Sequence, residues 1–186
     1  ERMRELLIER GVPVVGSGRA NVLATTWADD LQLLLCALLQ PNDEYAVRGA
    51  LATRLLGATA RDLTELASNA PAWEKKLDQF AGWRRMWDRR GVLAVIEAVI
   101  LGQAPRLLAS ADGERAMTDL RHLGELLQDS AIECYGPEEL YAWYVAERSA
   151  SSGSIEAGRE QQLRIESEAR RVQLLTIHAS KGLEYP

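Results

Sequence analysis

Between residues 25 and 150 the apolar positions recur at helical spacing, and they predict a series of amphipathic helices. Thr26 with Asp29 three residues on reads as a capping-box-like start, and Leu31, Leu34, Leu35, Leu38 and Leu39 then form one stripe that stops before Pro41. A second helix is expected from about 43 to 56, ended by Gly57. Thr59 and Asp62 repeat the cap signal for a short third helix over 61–67. Pro71 suits the first turn of a long helix to Arg90, in which Trp73, Leu77, Phe80, Trp83 and Trp87 share a broad apolar face. Gly91 breaks it, and the almost wholly apolar run 92–101 reads as a shorter, buried helix. Over 113–130, Met117, Leu120, Leu123 and Leu127 face a core, while Glu114, Arg115, Asp119 and Arg121 are expected outside. Gly136-Pro137 opens a last helix over 138–149 carrying Tyr141, Trp143, Tyr144 and Val145. The small, uncharged stretch 149–154 has linker composition.

Both ends of the chain follow another pattern. Met3, Leu6, Leu7 and Arg10 lie at helical spacing with Gly11 as a stop, and 12–15 reads as a short strand before the turn 16–18. At the other end Val172 to Ile177 is an apolar run of strand length feeding a polar turn, His178-Ala-Ser-Lys-Gly-Leu-Glu184. The expected class is therefore mainly α: a helical domain inserted in a parallel α/β sheet of which only edge pieces are present. The divisions are 1–24 (helix and strand edge), 25–150 (helical body), 151–160 (linker) and 161–186 (return to the sheet). The chain is expected to start within a helix and stop within a loop. No internal repeat of fixed period is visible.

Composition adds constraints. Of 186 residues 47% are hydrophobic and 26% charged, as in globular proteins, and the net charge is −5. Bulk charge thus gives no general affinity for phosphate, so any DNA contact must be local. Cys36 and Cys134 stand far apart with no zinc spacing and no disulfide framework, and read as two buried thiols in a reducing cytoplasm. The longest apolar run, 31–39 with Gln32 inside it, is too short to cross a bilayer, and no signal peptide opens the chain. A soluble, cytoplasmic protein without membrane contact is expected.

Candidate chemistry is sparse. No Gly-x-x-x-x-Gly-Lys-[Ser/Thr] loop cradles phosphates, no Asp-Glu pair follows an apolar strand, and no nucleophile–base arrangement stands out, so no catalytic residue and no metal site is assigned. Glu138 and Glu139 are explained by the dipole of the helix they begin. His122 reads as structural, without a carboxylate or cysteine at ligand spacing. On the 71–90 helix, Lys75, Lys76, Arg84, Arg85, Arg89 and Arg90 stand against Glu74, Asp78 and Asp88. The tryptophans read first as core. For the arginines a solvated face and a DNA-facing surface, with Arg84 and Arg85 as its candidates, stand level. In the 178–184 turn a backbone amide, hydroxyls and an imidazole could grip a DNA phosphate, and Glu184 could accept from a ribose hydroxyl.

Thr176-Ile-His-Ala-Ser-Lys-Gly-Leu-Glu-Tyr-Pro186, with Leu163-Arg-Ile-Glu-Ser167 upstream, closely resembles motif V of the UvrD/RecB class of superfamily 1 DNA helicases. The order of elements from Pro41 to Gly57 resembles the same class just after motif IV. Residues 114–128 resemble the accessory subdomain of its RecB-type members. The resemblance implies a helical 2B-like accessory subdomain flanked by slivers of a second RecA-like domain. The whole protein it implies is an ATP-dependent helicase and exonuclease subunit that unwinds double-strand DNA ends in recombinational repair. ATP and Mg2+ would be its cofactors, and RecC- and RecD-like subunits its partners. Thr176, His178 and Ser180 would contact the DNA backbone, Gly182 and Glu184 would lie at the nucleotide cleft, and the chain alone would be inactive. Ala179 departs from the pattern, standing where RecB-type sequences often carry Lys. A UvrD- or AddA-like helicase, and a helical protein-interaction module with no catalytic parent, are the rival readings.

Overall fold

The computed structural model describes residues 14–16, 22–151 and 172–174. In order they form β1 (Val14–Gly16), a 3-10 turn (Val22–Ala24), α1 (Thr26–Leu39), α2 (Glu44–Leu51) and α3 (Ala60–Ala67). There follow α4 (Ala70–Arg90), α5 (Val92–Leu108), α6 (Gly113–Ser130), α7 (Pro137–Ser151) and β2 (Val172–Leu174). The protein is mainly α. The expected helix over 1–10 lies outside the described residues, as do 175–177 of the expected last strand.

Local chemistry explains each boundary, including those that differ from expectation. Thr25, not Thr26, caps α1: its Oγ1 accepts from the Ala28 amide and donates to the Val22 carbonyl at 2.7 Å. Asp29, expected as the box partner, instead pairs with Arg148 of α7. α2 ends at Leu51, not 56, because Thr53 diverts the backbone. Its hydroxyl donates to the Ala50 carbonyl at 2.6 Å and accepts from the Leu56 amide at 3.3 Å. The unwound carbonyls of Arg54 and Leu55 are taken by Arg106, at 2.7 and 2.6 Å, and the Leu55 amide by buried Asp30 at 3.2 Å. α3 carries the full capping box expected of Thr59 and Asp62.

α5 runs seven residues beyond expectation, through Gly102 and Pro105 to Leu108. Pro105 cannot donate to the carbonyl four residues back, that of Leu101. Both residues are exposed, so water can serve that carbonyl and the interruption costs little. Only the 92–100 part of this helix contributes a buried stripe, with Leu107 added at its end. α7 likewise extends two residues into the stretch read as linker.

The core is built where α1, α4, α5 and α6 meet. Leu31, Leu34, Leu35 and Leu38 of α1, Phe80 of α4, Val95 and Ile96 of α5, and Leu120, Leu123 and Leu127 of α6 are all buried. α5 and α6 pack along most of their length because Gly124 has no side chain; a Cβ there would meet Leu93 at 2.9 Å and Ile96 at 3.3 Å. α7 closes the body over α1. Tyr144 is buried with its hydroxyl donating to the Ala28 carbonyl at 3.1 Å, and Arg148 donates to the Leu23 carbonyl, Gln32 and Asp29. Burial pushes the Tyr144 phenol well above its ordinary pKa. No described helix is long and apolar enough to cross a membrane.

β1 and β2 pair in parallel, Val14 opposite Val172, Val15 opposite Gln173 and Gly16 opposite Leu174. Parallel strands require a crossover connection, and here the helical body lies within that crossover.

Candidate functional site

Two parts of the described chain bear on function: the basic side of α4 and a cleft between α6 and α7. On α4, Trp73, Phe80 and Trp87 are buried and Trp83 packs edge-on against Phe80, centroids 5.1 Å apart, so the aromatic stripe is core. The two arginines nominated from sequence part company. Arg84 is an internal strut: Nε donates to Asp88 and Nη2 to Glu138 of α7, each at 3.1 Å, and its guanidinium lies 5.9 Å from the Trp87 ring centroid. Its side chain is only 22% exposed. Glu138 is held below the usual carboxylate range, first by its own backbone amide at the helix start and then by the Arg84 guanidinium, against some desolvation. Arg85, one residue on, is exposed, as are Arg89 and Arg90. Arg89 Nε donates to the Arg85 carbonyl at 3.1 Å, at the end of the helix where cations oppose the dipole.

Thr176, His178, Ser180, Gly182 and Glu184 all lie outside the described residues. β2 ends at Leu174, two positions before Thr176, so the pairing with β1 anchors the strand from which this motif departs.

The cleft was missed by sequence reasoning. It encloses about 760 Å³ and is lined by Glu125, Asp129, Glu133 and Glu139, with Leu126, Trp143, His122 and Cys134 among the remainder. A signal was present: Glu125, Asp129 and Glu133 recur every four residues, a spacing that stacks them on one side of a helix. The structure also corrects three expectations nearby. Asp119 is buried, not exposed, because it sits one turn from His122 on the inward side of α6. Burial raises its pKa, while Arg115, 3.9 Å away, and His122 pull it down. His122 thus does have a carboxylate within reach. The two cysteines are half-buried, and burial together with Glu139 and Glu133 pushes the Cys134 thiol up. Among the described residues no group of His, Cys, Asp and Glu is placed to hold a metal.

No family model matches the chain. Curated relatives do, along nearly all of it. RecBCD enzyme subunit RecB of Escherichia coli is 36% identical over 100% of this chain and 16% of its own length. That of Mycolicibacterium smegmatis is 37% identical over 97% of the chain and 16% of its length. The chain is RecB-like from end to end. It spans about one-sixth of the length of these RecB subunits. RecB of Haemophilus influenzae agrees, at 36% identity over 91% of the chain and 14% of that protein. The likeness to RecB therefore takes in the helical body as well as the motif-bearing end.

Proposed function

We propose that this chain is the helical accessory body of a RecB-type helicase subunit, with the pieces of RecA-like domain that flank it. The observation that carries the proposal is the parallel pairing of β1 with β2 around the seven helices of the described residues, in a chain similar to RecB along its whole length. A sheet interrupted by a helical body puts the following loop next to the sheet edge, where nucleotide and strand contacts of α/β proteins are made. On this reading 1–24 and 161–186 belong to the second RecA-like domain, 25–150 is the 2B-like body and 151–160 the linker. The whole protein is an ATP-dependent, cytoplasmic DNA helicase and exonuclease subunit that opens double-strand ends with RecC- and RecD-like partners.

Within it, Thr176, His178 and Ser180 hold the DNA backbone, while Gly182 and Glu184 face the nucleotide. The phosphate-binding loop that cradles ATP and Mg2+ belongs to another part of that protein, since this sequence carries no such loop. Lacking that loop, the isolated chain is expected to be inactive as an ATPase. On the body, Arg85 with Arg89 and Arg90 offers the DNA-facing cations, whereas Arg84 holds α4 to α7.

The test is anisotropy of a tailed duplex titrated with the chain at several salt concentrations. Weak binding is expected, with a log–log salt slope of about −2 to −3 for three phosphate contacts. Arg85→Glu/Arg89→Glu should weaken it strongly with the fold intact. Equal binding by that variant, or none by the parent chain at low salt, would remove the body from the DNA path and leave partner contact as its role.

A further inference from the structure

The cleft between α6 and α7 has chemistry opposite to that of a DNA surface. Glu125 and Asp129 stand one turn apart on α6, Glu133 follows in the connecting turn, and Glu139 lies in the first turn of α7. Among the described residues no lysine or arginine lines it, and no ion pair reaches Asp129, Glu133 or Glu139. The same turn carries Ile132 and Tyr135, which are 84% and 95% exposed. The Tyr135 amide donates to Glu139 at 2.6 Å, tying the turn backbone at Tyr135 to the start of α7, whose Glu139 lines the cleft. Large apolar side chains displayed together beside a charged concavity mark a binding surface.

We propose that this cleft docks a basic, amphipathic segment of a partner polypeptide. Its cations would meet the four carboxylates and its apolar side chains Ile132 and Tyr135. Charge complementarity selects this occupant. Nucleic acid is repelled by the same carboxylates, whereas guanidinium groups can take a carboxylate in bidentate fashion. The proposal does not depend on the chain's other contacts, since loss of duplex binding in Arg85→Glu/Arg89→Glu leaves the cleft unchanged.

The test titrates the isotopically labelled chain with a synthetic leucine/arginine amphipathic helical peptide, and with a leucine/glutamate counterpart, following amide shifts. Saturable shifts confined to 122–146 are expected for the basic peptide alone. Asp129→Asn/Glu133→Gln should weaken it at least tenfold, while Glu74→Gln/Asp78→Asn on α4 leaves it unchanged. Asp129 and Glu133 are both exposed, so the double variant keeps the fold, which its amide dispersion verifies. Several results would overturn the proposal: no saturable binding, shifts elsewhere, undiminished affinity in the double variant, displacement of the peptide by duplex DNA, or self-association of the chain through these residues.

Discussion

Helix α4 and the α6–α7 cleft both interleave charges with aromatic side chains, and the fold treats them in opposite ways. On α4 the aromatics turn inward. Its central cation, Arg84, is spent on Asp88 and Glu138 and on the face of Trp87. In the cleft Trp143 stays half-exposed, and Asp129 and Glu133 meet no cation among the described residues. Charge beside an aromatic is therefore no sign of an interface in itself. What separates the two regions is whether the surrounding helices neutralise the charge and cover the ring. That criterion leaves Arg85, Arg89 and Arg90 as the basic face and the cleft as the acidic one, at different places on one body.

The sharpest way to break this comparison is to test whether the α4 aromatics are core. Phe80 is fully buried, so Phe80→Ala should cost about 3–5 kcal/mol in urea unfolding, transfer and cavity terms together. A loss under about 1 kcal/mol would mean that the face is open and available to ligand. Next in size is Gly91, where α4 turns into α5 at φ 87° and ψ 166°, a region that only glycine occupies readily. A Cβ there would also crowd Gln128, which accepts from the Leu93 amide at the start of α5. Gly91→Ala should cost about 2 kcal/mol in the same measurement. Smaller still is the strut itself. In a double-mutant cycle Arg84→Ala and Glu138→Ala should couple by about 0.5–1 kcal/mol, since Glu138 is largely exposed. Because its pKa is depressed in the fold, the Glu138 contribution is present above the unfolded carboxylate pKa and is lost as pH falls through the folded one. Zero coupling at neutral pH would return Arg84 to the pool of free cations.

Much of this was legible in the chain, and the failures have physical causes. Helix existence followed from the leucine stripes of α1 and α6 and from the Thr59–Asp62 cap, because those signals are local. The ends of α2 and α5 were misjudged for reasons that are not. Thr53 can divert the backbone only because Arg106 and Asp30, remote in sequence, take the groups it frees. Pro105 is tolerated only because Leu101 faces solvent. Asp119 was placed outside because a carboxylate is ordinarily solvated, and only the packing of α6 buries it. The division of labour between Arg84 and Arg85 was beyond sequence reading too, since Glu138 comes from another helix. The cleft shows a different failure: its four-residue acidic period was visible, but concavity arises from how α7 crosses α6.

The smallest expected effects sharpen the comparison most finely, by setting two kinds of carboxylate on α6 against each other. Asp119 is buried with a raised pKa, so its folded form holds a proton more tightly than the unfolded chain does. Its protonated form favours the fold below the unfolded pKa, and that benefit is lost as pH rises through the folded pKa. Asp119→Asn should therefore gain stability relative to the parent chain at neutral pH, with the gap closing below the unfolded pKa of about 3.9. Asp129→Asn and Glu133→Gln, in contrast, should change unfolding by no more than about 0.5 kcal/mol at either pH, as exposed groups outside the packing do. Thermal unfolding of the variants at two pH values checks both statements. A neutral-pH loss in Asp119→Asn would mean that the contacts with Arg115 and His122 outweigh burial. A comparable loss in the cleft variants would mean that their carboxylates support the fold rather than await a partner.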